Sequence, residues 1–390
     1  MKNLQEFDFV LHLVLRSRGC PFTHGRPDGG VPILAIVVPS FNGGGHLAEC
    51  LERLIAAVTE LDPDGFLIAV FDDASTDGSA ELALSVLRGR GVPYLVGRWS
   101  RNGGEAANCN QAFSFLIKRG FEWALLAHQD DLQSSEWLIA VRNAISRADS
   151  DVGAITCRNI GFRDGEQYLV DERNGSITPN DRRLVRYFEG GTEGLKRFGD
   201  EWYWLPNGTV FRLRFFTYVG GFLAGIRFAG DNDYIARHFL SGGGVLDFPN
   251  VFVGHRLHQS SSTSRAFDQG NDAWGFGYIL WKHTASIDRR VATRLALKHF
   301  VGAVRVFIRR LFERRWQAAL GRLIAGRHYA SCFLALLARS DRFLTREIRT
   351  LAREGRTAGV TPDAVDDFLE LVGYDVSLLD PKGAVDGLAP

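Results

Sequence analysis

Between Ile33 and Ala148 the chain alternates short, unbroken apolar runs with longer segments of helical periodicity. The runs are Ile33–Val38, Phe66–Phe71, Val92–Val96 and Trp123–Ala127; the periodic segments are Leu47–Leu61, Ser79–Leu87, Glu105–Arg119 and Glu136–Ala148. A strand that is apolar on both faces has no solvent side, so helices must cover it above and below. Strand and helix joined repeatedly by short loops predict an α/β fold, a sheet of parallel strands with helices on both faces.

The pattern weakens on either side. Residues 1–19 read as a short amphipathic helix, and 20–31 as a Gly- and Pro-rich linker. Ala154–Cys157 reads as a strand, 162–200 as polar loop, Trp202–Phe211 as aromatic and β-like, and Asp233–Leu240 as a helix ended by Gly242-Gly243-Gly244. Val245–Phe248 and Val251–His255 read as two short strands. From about residue 270 only helices are expected, with turns near Gly321, Gly326 and Gly355. At 390 residues the chain exceeds what one hydrophobic core usually serves. The expected division is 1–30 as N-terminal helix and linker, 31–265 as the α/β domain and 266–390 as a C-terminal helical domain.

Bulk composition excludes more than it selects. The chain is 45% hydrophobic and 23% charged with a net charge of +1, so its overall balance names no partner. Cys20, Cys50, Cys109, Cys157 and Cys332 are scattered, and none forms a Cys-x-x-Cys pair. That argues for a reducing, cytoplasmic setting and against a disulfide frame or zinc site. No apolar run reaches the length of a membrane span. Asp8 and His12 interrupt the N-terminal apolar stretch, which therefore does not read as a signal peptide. In a cytoplasmic protein the sequons at Asn174 and Asn207 carry no meaning.

Four motifs follow the strands. Pro39-Ser40-Phe41-Asn42-Gly43-Gly44-Gly45 is either a flexible turn or a close backbone approach to a ligand, with Phe41 against a base. Asp72-Asp73-Ala74-Ser75-Thr76-Asp77-Gly78-Ser79 offers carboxylates to a nucleobase or ribose, while Asp77 or Ser79 caps the next helix. Arg101-Asn102-Gly103-Gly104-Glu105-Ala106-Ala107-Asn108 opens a helix with its Gly pair, and Arg101 either meets a diphosphate or stays solvated. His128-Gln129-Asp130-Asp131 sets two carboxylates side by side; they repel unless a cation or donors meet them. Two such acids suit an oxygen-loving divalent ion.

Taken in order, these motifs resemble those of family 2 glycosyltransferases of the GT-A type, including the rhamnosyltransferase-like and polysaccharide-biosynthesis members. The resemblance spans roughly residues 31–265 and implies a GT-A, Rossmann-like mixed sheet with a nucleotide-diphospho-sugar donor. It implies donor contacts from Pro39, Phe41, Asn42, Asp72, Asp73, Arg101, Asn102 and Gln129, and coordination of Mg2+ or Mn2+ by Asp130. Asp131 would be an alternative ligand or a sugar contact. His128 departs from the pattern, standing where the family often has an acid. By the same resemblance Asp231 is the catalytic base with Asp233 beside it, and His258 of His255-Arg256-Leu257-His258 completes the metal and diphosphate shell. Helix capping by Asp231 and a lone surface His258 are the alternatives.

The family's usual chemistry is inverting transfer to an acceptor hydroxyl, on a growing polysaccharide or a lipid-linked glycan. A nucleotide-sugar-binding subunit without activity, its chemistry lost at His128, is the second reading. Trp202-Tyr203-Trp204 would either shape the acceptor site or pack in the core. Between Trp281 and Ala330 twelve Lys or Arg face only Asp288 and Glu313, with apolar residues interleaved. That stretch either lies on the inner face of the cytoplasmic membrane or packs on the α/β domain, Arg stems covering apolar surface. No nucleic-acid recognition motif accompanies the charge.

Overall fold

The computed structural model describes residues 9–14, 33–62, 65–164, 185–201, 205–223, 230–258, 261–284 and 288–357. Nine strands form one mixed sheet. In chain order they are β1 (Phe9–Val14), β2 (Leu34–Ser40), β3 (Phe66–Asp72), β4 (Tyr94–Trp99), β5 (Trp123–Leu126), β6 (Val152–Phe162), β7 (Arg186–Phe188), β8 (Val210–Arg212) and β9 (Gly244–Arg256). Their spatial order is β1-β4-β3-β2-β5-β8-β6-β9-β7. Strands β4, β3, β2 and β5 are parallel, and the order reverses on either side of β2, which pairs with both β3 and β5. Such a reversal opens a crevice at the strand C-termini.

Every residue of β2 and β3 is buried, as their unbroken apolar runs require. Alternate residues serve opposite faces. Leu34, Ile36 and Val38 pack with helices α1 (Gly44–Leu61), α2 (Ser79–Leu87) and α4 (Ser135–Ile145). Ala35 and Val37 pack with α3 (Glu105–Lys118), α5 (Thr192–Glu201), α6 (Leu213–Val219) and α7 (Gly230–Leu240). The expected GT-A-like α/β fold with helices on both faces is therefore present, and helices follow it.

That helical layer comprises α8 (Ser262–Gln269), α9 (Asp272–Lys282), α10 (Arg289–Phe312), α11 (Trp316–Ala338) and α12 (Arg346–Thr357). It has its own core around Tyr278, Ile279, Tyr329, Cys332 and Leu336.

Several local expectations change. The N-terminal segment is not helical where it is described: Phe9–Val14 is a strand, antiparallel to β4. It covers an edge that would otherwise expose a row of unpaired peptide groups. The stretch expected as loop over 162–200 contains β7 and α5. The two strands expected at 245–255 are one, with a register shift where Cys157 pairs Phe248 and Arg158 pairs Phe252. Pro249, inside that shift, has no N–H to give a ladder. Gly321 and Gly326 mark no turns but lie inside α11. A Cβ on Gly321 would stand 2.0 Å from the Asp268 carbonyl oxygen, so glycine here serves the close crossing of α8.

Candidate active site

Strands β2 to β6 and β9, the short antiparallel β8 not among them, all point their C-terminal ends to one edge of the sheet. The loops after them open on the same side. Residues distant in sequence meet there because strand direction, not proximity along the chain, delivers them.

The turn after β2 is cross-braced. Asn42 has φ +49°, a left-handed conformation that Asn tolerates better than most residues. Its N–H donates to Ser75 Oγ at 2.8 Å, and its Oδ1 accepts from Thr76 N at 2.9 Å. Gln129 locks the same turn from the other side, its Oε1 accepting from Ser40 Oγ and Phe41 N, each at 3.0 Å. A Cβ on Gly43 would lie 2.4 Å from that oxygen, so the glycine makes room for Gln129. Pro39 is buried in β2, whereas Phe41 stands 45% exposed at the mouth of the crevice.

The paired acids after β3 hold loops. Asp72, fully buried, accepts from the Ser75 amide at 2.9 Å and from the Ser75 hydroxyl. Asp73 accepts from Gly103 N and Gly104 N, each at 2.8 Å, with one oxygen for each. Burial pushes both carboxyls above their ordinary range, against the pull of these hydrogen bonds. Arg101 and Asn102, just before the glycines that Asp73 fixes, are exposed. The structure thus sets Phe41, Arg101 and Asn102 at the surface of the crevice and Asp72 and Asp73 beneath it.

The loop after β5 divides its acids in the same way. Asp131, 1% exposed, accepts from Arg256 N at 2.7 Å and lies 3.3 Å from His255 Nδ1 and 3.5 Å from His128 Nδ1. Burial opposes its ionisation, but the two imidazoles outweigh burial and hold its carboxyl down at about 2. Arg256 ties the loop down further. Its Nε donates to the Asp130 carbonyl at 2.8 Å, its Nη2 to Glu49 at 2.6 Å and its Nη1 to Asp164, with the guanidinium 4.6 Å from the Phe162 ring. Asp130 remains partly open, and its Oδ2 lies 2.8 Å from His258 Nε2.

Asp130 and His258 therefore present a carboxylate and an imidazole to one point, donors that fit a divalent ion. Among the described residues no three His, Cys, Asp or Glu side chains form a ligating group. The protein itself supplies a pair.

Asp231 sits in the first turn of α7, its Oδ1 accepting from Asn232 Nδ2 at 3.1 Å. Burial raises its pKa, and the charge of Glu105 adds to the rise while His128 opposes it. Glu105, the first residue of α3, lies 3.1 Å from His128 Nε2, an ion-pair distance without in-line hydrogen-bond geometry. Burial pulls the His128 imidazole down, yet Glu105 and Asp131 together carry it well above its usual value. His128, the unexpected residue of its motif, is thus a cationic link between the Asp131 loop and Glu105. Glu105 lies inside the Arg101–Asn108 motif, which by sequence alone gives it no role. Its signal is positional: an acid opening the helix that follows a parallel strand and a Gly pair.

Asp233 points elsewhere. It is fully buried, with Lys282 Nζ at 2.8 Å and His283 Nε2 at 3.0 Å from one oxygen and Arg237 Nε at 2.8 Å from the other. The His283 hydrogen bond and the charges of Arg237 and Lys282 overcome its burial and hold it far below the usual carboxylate range. It moors α7 to α9 and is not brought together with Asp231 at the crevice. Trp202, Tyr203 and Trp204 lie outside the described residues.

A profile of the family described as "Glycosyl transferase family 2" matches residues 35–201, the stretch that carries β2 to β5 and their loops. Residues 35–201 are a family 2 glycosyltransferase domain. Two curated relatives match part of the chain at low identity. A poly(ribitol-phosphate) beta-glucosyltransferase of Bacillus spizizenii is 26% identical over 152 residues, covering 39% of this chain and 23% of the relative. Glycosyltransferase GlyG of Streptococcus pneumoniae is 25% identical over 138 residues, covering 35% of this chain and 43% of the relative. The chain thus spans less than half the length of either. The crystal structure of S. aureus TarS 1–349 in complex with UDP-GlcNAc is 16% identical, covers 87% of this chain and 90% of that one, and superposes with a TM-score of 0.55. At that identity the likeness shows the fold of the family 2 domain and its helical extension.

Proposed function

We propose that the chain is a glycosyltransferase that moves a sugar from a nucleotide-diphospho-sugar to an acceptor hydroxyl, with inversion at the anomeric carbon. The observation that carries this reading is Asp231. It is a carboxylate at a helix N-terminus, raised in pKa by burial and Glu105, beside a crevice where Asp72, Asp73 and Asp131 are committed to holding loops. A base works best with a pKa above the ordinary carboxylate range, and burial gives Asp231 that rise against the pull of the Asn232 backbone hydrogen bond.

In this reading the acceptor O–H gives its proton to Asp231 as its oxygen attacks the anomeric carbon. The nucleoside diphosphate leaves from the opposite face with the bonding pair. Phe41 offers its ring to the base, and Arg101 and Asn102 reach the diphosphate from the loop that Asp73 fixes. Asp130 and His258 would hold Mg2+ or Mn2+, which when bound neutralises charge on the departing diphosphate. Asp131 and Gln129 position the loop; Asp72 and Asp73 do so for its neighbours. The acceptor is a growing polysaccharide or a lipid-linked glycan, and the setting is the cytoplasm, at the inner face of its membrane. The family 2 domain and the relatives named as glycosyltransferases support this class of activity.

The test follows a radiolabelled donor through purified protein with Mn2+ present. Release of nucleoside diphosphate, reduced by about two to four orders of magnitude in Asp231→Asn, fits the reading. Release of pyrophosphate would make the protein a nucleotidyltransferase, and unchanged turnover in the variant would remove Asp231 from the chemistry. A thermal-shift series of UDP-, GDP- and dTDP-linked sugars, with and without Mn2+, then assigns the donor.

A further inference from the structure

The hairpin formed by α10 and α11 packs the wrong way round for a helix pair that meets only water. Along its 24 residues α10 buries only Ala292, Ala296 and Ala303. Opposite them, a Cβ on Gly326 of α11 would sit 4.0 Å from both Ala303 and Phe300. Small residues thus form the seam, and large ones face out. Leu297, Val301, Val304, Ile308 and Phe312 are 42, 38, 38, 47 and 85% exposed. Their spacing of four, three, four and four residues lines them on one side of the helix. Past the turn at 313–315 the pattern resumes with Trp316, Leu320 and Leu323 at 67, 58 and 55%. Amphipathic helices of water-facing domains show the reverse, and contiguous apolar surface of this kind marks an interaction site.

Charge says what meets it. From residue 289 to 339 there are twelve Lys or Arg and one acid, Glu313. Arg305, Arg309, Arg314 and Arg315 are exposed around the tip that Phe312 and Trp316 bracket. Glu313 is already matched, with Arg310 at 2.7 Å and Arg309 at 3.3 Å. A second copy of the chain would bring a like-charged tip against this one. A nucleic acid would find the cations but gain nothing from the aliphatic row of Ile308, Leu320 and Leu323. An anionic bilayer surface satisfies both, with acyl chains for the apolar residues, headgroups for the arginines and the interfacial layer for Trp316.

We propose that the tip of the α10–α11 hairpin is an interfacial anchor that docks on an anionic lipid surface. The anchor lies on the membrane and does not cross it, since no helix among the described residues is long and apolar enough to span. The inference deepens the membrane-face setting proposed above. It does not depend on the donor or the base, so the two readings fail separately.

The full chain is sedimented with phosphatidylcholine vesicles, pure or mixed with phosphatidylglycerol. Binding to the mixed vesicles, weakened by added salt, is expected, because each basic group near the surface contributes about fivefold in affinity. The double variant Phe312→Ser, Trp316→Ser loses about tenfold or more, and the triple variant Arg309→Gln, Arg314→Gln, Arg315→Gln loses the preference for phosphatidylglycerol. Both keep the parent's thermal midpoint and donor turnover in solution. The proposal falls if the parent stays in the supernatant with every vesicle or if the apolar double variant binds as the parent does. It falls also if the parent is a dimer that the double variant converts to monomer, which would assign the face to a second copy.

Discussion

His258 Nε2 lies 2.8 Å from Asp130 Oδ2, joining side chains 128 positions apart at one edge of the sheet. The contact exists because β5 and β9 both end there, and Arg256, two residues before His258, is bolted to the Asp130 carbonyl. With nucleoside diphosphate present, calorimetric titration of Mn2+ should show binding weakened about tenfold in His258→Ala and lost in Asp130→Asn. If both variants bind as the parent does, the pair is only a hydrogen bond.

Glu105 acts on Asp231 through its charge. Its negative charge helps hold the Asp231 carboxyl protonated to higher pH. In Glu105→Gln the acidic limb of the kcat/KM profile should therefore move to lower pH, with the alkaline side little changed. A limb that stays in place would mean another group governs it.

Truncating Asp233 strands Arg237, Lys282 and His283 without their shared partner. Asp233→Ala should cost about 3–5 kcal/mol, read as a lowered denaturation midpoint in urea. The carboxyl is held below its unfolded value, so the folded chain binds fewer protons. Its contribution is full above about pH 4 and fades as the pH falls further, and the gap between parent and variant should narrow accordingly. A gap that widened on acidification would contradict the assignment.

His238 is buried beside Tyr234 Oη at 3.2 Å and the Gly244 carbonyl at 3.3 Å, and burial lowers its pKa from 6.5 to about 4. Between those values the unfolded chain takes up a proton that the folded chain refuses. Stability should fall as pH drops through this window, by roughly 3 kcal/mol at its lower end. In His238→Gln that slope should flatten; a slope equal to the parent's would place the acid sensitivity elsewhere.

What could be read in advance follows from range. β2 and β3 were legible because a strand buried on both faces must be apolar throughout, and each carries that signal within seven residues. β1 was not, since what makes Phe9–Val14 a strand is the open edge of β4, about 85 positions away. Motif order singles out Asp130 and His258, and the fold brings them within 2.8 Å of each other. It singles out Asp72 and Asp73 too, but only the folded chain reveals that their oxygens are occupied by Ser75, Gly103 and Gly104. Nothing near Asp233 hints at Lys282 and His283, because a buried charge chooses its partners by packing and not by spacing. Trp316 and the arginines near it were legible as a basic amphipathic pattern, while the outward turn of the large residues awaited the small seam between α10 and α11.

The mooring of Asp233 also separates a unit of recognition from a unit of folding. The stretch that the family profile recognises stops at residue 201, before both Asp231 and the helix that carries it. A fragment cut after β9 would keep every crevice loop yet leave a carboxylate inside α7 with Arg237 alone, its matches on α9 gone. A piece that keeps Asp233 fully matched must therefore run past His283, so the helical layer contributes to the stability of the sheet it covers.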